Sequence, residues 1–385
     1  MAYNLQFSKI VVQYQAITQA SVHHTPIKPN KHPLGIFSKD RAYSSYSEFL
    51  GRYEDLLMYD VQGVISSAVF RNDNRLLLAS SREHAHEVWE LSVPEKLTAG
   101  PDAGLTKDRD FRLITAGYTP DRTKEMLVMN SKVVLSGPKG VCMYNIPSSS
   151  DPTDVMSHVC DIRNDTVDAT LAQSESCIYS ATNVANLTDF NFNTNKVSLL
   201  SSLPSQISCK GNDDALNISS VVYRSGKLYI GLSEKGITYV YELGTGKVIQ
   251  EITASDTSYG FWKIDISQDE KFVAFASSNG RVIVYDTRKL SEAVFEKKKE
   301  VQDQTISNHQ IHFSPSGNLL SLSGYSKLVE VFDVSDHSDK TEVFCHDGHR
   351  DGQISTILTH LWHPSQSKLV FSADDMGTLQ AWRFK

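Results

Sequence analysis

The chain has 385 residues, 40% hydrophobic and 22% charged, with a net charge of −7. That is the balance of an ordinary globular protein, and without a basic cluster it disfavours nucleic acid as the main partner. No apolar run approaches the roughly 18 residues of a membrane helix, and the start, MAYNLQFSKIVVQYQAITQ, lacks the basic flank, apolar core and cleavage site of a signal peptide.

Residues 1–45 differ in composition from the rest of the chain. Pro26, Pro29 and Pro33 stand in a polar setting, and no acid precedes Asp40. Such a composition buries too little apolar surface to order itself, so a disordered polar extension is expected. A mitochondrial presequence is the weaker reading: such segments are arginine-rich, and the first arginine here is Arg41.

From residue 46 onwards short apolar runs alternate with Gly, Asn, Asp and Ser. In RYEDLLMYDVQG, residues 56–61 are apolar enough to pair as a strand. VISSAVFRNDNRLLLASSREHAHEVWEL, from Val64, holds three strand-like runs. Turn residues recur every 8–12 positions or so, and long stretches of 3.6-residue period are absent, which is a strand pattern rather than a helical one.

The next stretch, LTKDRDFRLITAGYTPDRTKEM, crowds charges against aromatics. Its bland reading is a structured loop with self-paired salt bridges of little energetic weight. Its functional reading is a contact loop, residues 107–122, offering arginine and aromatic anchors to a partner. On that reading Arg109, Asp110, Phe111, Tyr118, Asp121 and Arg122 are candidate contacts.

The three-run unit returns from Thr123, more weakly from Val167, and again from Leu216. At the end of the last, GTGK (residues 244–247) is superficially a phosphate loop. The upstream glycine is missing, however, and Val248 stands where Ser or Thr would bind magnesium. A turn between strands is expected there instead. The clearest unit comes next: FWKIDIS, then KFVAFASSNGRVIVYDTR, whose Asn279-Gly280 is a strong hairpin signal. EAVFEK is a plausible fourth strand, and EKKKE (residues 296–300) reads as a solvated edge with lysines that discourage edge-to-edge pairing.

A sixth unit starts at His309. Cys345, His346 and Asp347 suggest a nucleophile and base, but neighbours in a strand point apart and no nucleophile elbow surrounds them. His349, Arg350 and Asp351 are further candidate contacts by charge. The seventh unit starts at Thr359. His360 and His363 have tempting metal spacing, yet residues three apart on a strand point to opposite faces; the end of a strand and its turn is the better reading.

These seven units end their third run with an aromatic in six cases: Trp89, Tyr144, Tyr241, Tyr285, Phe332 and Trp382. The last four are 44, 47 and 50 residues apart, slightly above the roughly 40–45 of a WD-repeat blade. The fold expected is therefore all-β: a seven-bladed β-propeller of degenerate WD repeats over residues 46–385. The last blade has only three strands before the chain ends, so residues 55–61 are expected to supply its outer strand against residues 377–384 and close the ring. In WD blades a buried polar set must satisfy itself. His349, Ser372, Asp375 and Trp382 are the candidates here. The fit is one residue off, since Met376 holds the position, counted back from Trp382, that the acid usually takes.

RYEDLLMYDVQG, RDFRLITAGYTPDR, GHRDG with THLWHP, and SADDMGTLQAW occur in an order and spacing that resemble the WD repeat-containing protein 73 family. The resemblance covers residues 46–385; units from about 150 to 300 carry only a general WD-repeat likeness. It implies a non-enzymatic scaffold without cofactor or metal that works in the cytoplasm, with spindle pole and nucleus as further sites. Implied partners are Integrator endonuclease subunits of small nuclear RNA processing with a HEAT-repeat factor, or tubulin in a cell-division role. By charge and the lack of a long apolar run, no direct contact with nucleic acid or membrane is expected, and a monomer is expected in isolation. Five scattered cysteines without a C-x-x-C pair fit reduced thiols inside the cell.

Two other classes compete with the scaffold. A hydrolytic or small-molecule-binding propeller needs convergent ligands where the inner strands begin. Those starts read Ser66, Thr123, Asp168, Asn217, Phe261, Gln310 and Thr359, with a single acid. A nucleic-acid binder is disfavoured by charge.

Overall fold

The computed structural model describes residues 51–61, 63–83, 85–95, 97, 110–148, 154–207, 216–255, 260–299, 301, 308–335, 342–349 and 356–385. The expected extension, residues 1–45, lies outside them.

The first strand, β1 (Tyr53–Asp60), stands apart from the six sheets that come after it in sequence. Blade 1 is β2 (Val64–Asn72), β3 (Arg75–Arg82), β4 (Ala85–Ser92) and β5 (Arg112–Thr119). Blade 2 is β6 (Glu125–Met129), β7 (Lys132–Gly137), β8 (Gly140–Asn145) and β9 (Ser157–Arg163). Blade 3 is β10 (Thr170–Gln173), β11 (Cys177–Ala181), β12 (Thr188–Asn191) and β13 (Lys196–Leu199). Blade 4 is β14 (Ile218–Arg224), β15 (Lys227–Leu232), β16 (Ile237–Glu242) and β17 (Lys247–Thr253). Blade 5 is β18 (Trp262–Ile266), β19 (Phe272–Ser277), β20 (Arg281–Asp286) and β21 (Lys289–Lys298). Blade 6 is β22 (Gln310–Phe313), β23 (Leu319–Ser323), β24 (Val329–Asp333) and β25 (Glu342–His346). Blade 7 is β26 (Ile357–Trp362), β27 (Leu369–Asp374) and β28 (Thr378–Phe384), and β1 is its outer strand. The result is a seven-bladed propeller.

Second strands are continuous apolar runs because both of their faces are buried. In β3, Leu76 and Leu78 face blade 7, whereas Leu77 and Ala79 face blade 2. The same period-two division holds around the ring. Seven apolar clusters form among the described residues, each spanning one pair of adjacent blades. No blade has a core of its own, so the ring folds as one unit. The hairpin at Asn279-Gly280 forms as expected, with Gly280 at φ +82 and its N–H donating to the Ser277 carbonyl.

In six blades the aromatic near the end of the third strand, Trp89, Tyr144, Tyr241, Tyr285, Phe332 or Trp382, is buried. Beside it the ladder to the outer strand slips, between Val240 and Tyr241, between Val284 and Tyr285, and between Val331 and Phe332. A bulge strengthens the local twist, and this one recurs in blades 4, 5 and 6.

Ring closure uses the expected pairing. β1 runs antiparallel to β28, from Tyr53 opposite Phe384 to Asp60 opposite Thr378. Asp55 and the Arg383 guanidinium add an ion pair at 2.9 Å. The EKKKE stretch is less solvent-directed than expected. Lys297 pairs with Glu342 at 2.9 Å and lies over the Phe332 ring, and Lys299 pairs with the buried Glu330. These lysines tie blade 5 to blade 6, because the outer strand of one blade lies against the flank of the next.

Candidate interaction surface

Residues 107–122 are not one loop. Arg112–Thr119 is β5, the outer strand of blade 1, paired along its length with β4. Charged flanks disguise a strand whose middle, Thr115 to Gly117, is buried. Arg109 lies outside the described residues, as do Arg350 and Asp351. Asp110 is exposed before the strand. Phe111 is buried, packed on Tyr59 at 5.4 Å and Phe371 at 6.2 Å, so it is a core residue and not an exposed anchor. Tyr118 is 39% exposed, and Asp121 and Arg122 lie just beyond the strand, in the link to blade 2.

His349 is also buried, which removes it from any contact surface. Its ring sits inside blade 7: Nε2 is 2.8 Å from Ser372 Oγ, and Nδ1 is 2.8 Å from Asp374 Oδ2. The Trp382 indole N–H donates to Ser372 Oγ at 3.0 Å. The acid of this set is Asp374 and not Asp375. Ser372 and Asp374 are two apart on β27 and share a face, whereas Asp375 points the other way and accepts from the Thr356 N–H at 2.9 Å. Asp374 Oδ1 also accepts from the N–H groups of Met376 and Thr378, which shapes the turn into β28.

A second buried set has no counterpart in the local sequence pattern. His360 of blade 7 bonds Ser321 and Ser323 of blade 6, at 2.8 and 2.7 Å, through its two ring nitrogens. The Trp362 indole N–H donates to the same Ser321 hydroxyl at 2.8 Å. His363 is engaged elsewhere, with Nε2 2.9 Å from the Asp73 carbonyl. The metal pair is therefore not assembled, as the strand geometry requires. Ser321-Leu-Ser323 and His360-Leu-Trp362 each show period two, but only the packing of blade on blade reveals that they meet.

The other tempting chemistry is spoken for. Burial pushes the Cys345 thiol up, away from thiolate, and His346 Nδ1 faces the Tyr53 hydroxyl at 2.9 Å. Gly244 to Gly246 of GTGK lie in the turn between β16 and β17, and Lys247 begins β17.

Of the candidate contacts, Arg122 is exposed in the link from blade 1 to blade 2. Within a four-stranded antiparallel blade, the turn between second and third strands and the link to the next blade share an end. At blades 2 and 3 that end presents Arg122, Lys124, Lys139 and Val167. The Lys124 ammonium donates to the Asp168 carbonyl at 2.8 Å, and that of Lys139 to the Pro120 carbonyl at 2.7 Å. Arg122 lies 3.6 Å from Asp168, and Lys139 lies 4.0 Å from Asp121. Deeper in, Glu125 accepts from the Leu171 N–H at 2.7 Å. Burial pushes the Glu125 carboxyl up and the Lys263 ammonium down; each also feels the other. Glu125 lies on the first strand of blade 2 and Lys263 on the first strand of blade 5.

No protein-family model matches the chain. It is similar to three curated proteins named Integrator complex assembly factor WDR73. The one from Danio rerio is 23% identical over 381 residues, spanning 90% of this chain and 97% of the relative. That from Xenopus laevis is 22% identical over 88% of this chain and 96% of the relative, and that from Mus musculus 21% identical over 87% and 95%. The likeness to the WD repeat-containing protein 73 family thus runs through nearly the whole chain.

Proposed function

We propose that this propeller is a non-catalytic protein-interaction scaffold that assists assembly of the Integrator complex, acting on its RNA endonuclease subunits together with a HEAT-repeat factor. The observation that carries this reading is similarity over 95–97% of three proteins named as assembly factors of that complex. A rigid ring displaying loops is suited to such a role. The engagement of both His360 nitrogens and the protonated state favoured at Cys345 support a role without catalysis. Free thiols at Cys142, Cys160, Cys177 and Cys345 support work in a reducing compartment, for which we propose the cytoplasm.

Gentle purification of the tagged protein from its own cytosol, with mass spectrometry of what accompanies it, tests the proposal. Endonuclease subunits of Integrator at near-stoichiometric amounts are the expected result. Tubulin alone would move the function to the spindle. Recovery of a bare monomer would overturn the scaffold.

A further inference from the structure

We propose that the end of the ring formed by the blade 1–2 link, the β7–β8 turn and the blade 2–3 link is a docking site for a short acidic protein segment carrying an apolar side chain. The proposal rests on the scaffold reading and names the chemistry of the partner at one place on it.

Val167 is 64% exposed, the most exposed of the large hydrophobic side chains described. It is presented by a fixed piece of backbone and not by a slack one. Asp168, next to it, holds φ at +52, a conformation that a non-glycine residue keeps only when its surroundings impose it. The surroundings do so: the Asp168 N–H donates to the Gly137 carbonyl at 3.0 Å, and its carbonyl accepts from Lys124. Gly137 permits the close approach, since a Cβ there would stand 2.3 Å from the Arg122 carbonyl oxygen. Turn and links are thus locked together, and a binding partner orders little on arrival.

Three cations share this end of the ring with Val167: Arg122 and Lys124 reach its neighbour Asp168, and Lys139 reaches Asp121 and the Pro120 carbonyl. The Arg122 side chain is 65% exposed and that of Lys139 63%, and Lys124 is exposed as well. The carboxylates near them are Asp121 and Asp168, with side chains 31% and 27% exposed. Asp165 is more exposed but is gripped by the Arg163 guanidinium at 2.7 and 2.9 Å. The cations therefore stand outermost. On a chain of net charge −7, a local positive rim around an apolar centre complements an acidic segment with an apolar anchor. Covering the exposed Val167 removes apolar surface from water, an exposed arginine such as Arg122 is among the residue types that anchor interfaces, and the charged rim sets encounter rate and salt dependence.

The test uses the full chain and three fluorescent dodecapeptides read by anisotropy: one of Glu and Asp around a central Leu-Phe, its Gln/Asn analogue and its Lys analogue. The acidic peptide is expected to bind at least about tenfold more tightly than either analogue at low salt, and to weaken as salt rises. Val167→Asp and Arg122→Glu should each weaken it by about fivefold or more, with the fold intact by circular dichroism. Lys289→Glu, on blade 5, should leave it unchanged. Equal binding of the acidic and Gln/Asn peptides, or indifference to both patch variants, would overturn the proposal. So would a 12-nucleotide single-stranded RNA that binds here more tightly than the acidic peptide. Copurification of Integrator subunits with the wild-type chain is read separately, so failure of the peptide would leave the scaffold standing.

Discussion

The Tyr53 hydroxyl lies 2.9 Å from Nδ1 of His346, joining the strand that closes the ring to the last strand of the blade before it. Burial pushes the Tyr53 phenol up and His346 well below the usual imidazole range. The phenol therefore donates and the neutral imidazole accepts. The His346 ring stacks on Trp382 at 4.4 Å, so this bond also fixes one wall of the blade 7 core. Tyr53→Phe should cost about 1–3 kcal/mol, the range for leaving a buried acceptor unpaired. Urea unfolding measures it, and a cost below about 0.5 kcal/mol would show that the hydroxyl contributes nothing to closure.

Asp374 and Asp375 are adjacent and chemically identical, yet their removal should differ. Asp374→Ala leaves His349 Nδ1 and two turn N–H groups without their acceptor. A loss of about 3 kcal/mol or more is expected for a buried charge-assisted set. Asp375→Ala removes one bond at the edge of the blade, from the Thr356 N–H, worth about 1 kcal/mol. Comparison of their urea midpoints decides the assignment. Equal losses, or a larger one at Asp375, would contradict it.

The pair also marks how far the sequence can be read. Blade count, strand runs and closure are legible because each rests on local pattern: an apolar run buried on both faces, an Asn-Gly turn, an aromatic at a recurring position. Asp374 is not, because counting back from Trp382 assumes a fixed turn length, whereas alternation along β27 selects the residue two after Ser372. β5 is hidden by the charges that flank it, at Asp110 and at Asp121-Arg122. Phe111 passes for an anchor because hydrophobicity says nothing about which side of the ring a residue faces. The meeting of His360 with Ser321 and Ser323 joins residues 39 and 37 apart in different blades, and no short-range pattern encodes that.

Acid should weaken the fold before its carboxylates titrate. Burial, then the neighbouring His349, holds His346 well below the usual range; burial, then His312, does the same for His360. Burial also lowers His312 and His363. The unfolded imidazole titrates near 6.5. Below that, the unfolded chain takes up protons that the folded one refuses, so stability falls as pH falls, by up to about 1.4 kcal/mol per unit for each such histidine. Above about pH 7 the contribution is constant. Asp165 and Asp286, held low by Arg163 and Arg288, act only in stronger acid, and Glu125, raised by burial, opposes the trend. Urea unfolding from pH 5 to 7.5 should show the decline, and His346→Gln should reduce its slope by about one proton. An unchanged slope in that variant would exclude His346 as a source.

Removal of residues 50–62 should do more damage than any point change. It strips β1 from β28 and takes Tyr53 and Leu56 from the cluster that joins blades 6 and 7. It also takes Val61, Leu57 and Tyr59 from the cluster that joins blades 7 and 1. β28 would then offer a full row of unpaired backbone groups beside newly exposed aromatics, the condition for edge-to-edge association. Aggregation is the expected outcome, read as loss of soluble protein and of the monomer peak on a sizing column. Removal of residues 1–44 leaves every described contact of β1 in place and should yield a soluble ring with an unchanged urea midpoint. The comparison isolates closure from chain length. A monodisperse, stably folded protein lacking residues 50–62 would mean that six complete blades and a three-stranded seventh hold the ring without its closing strand.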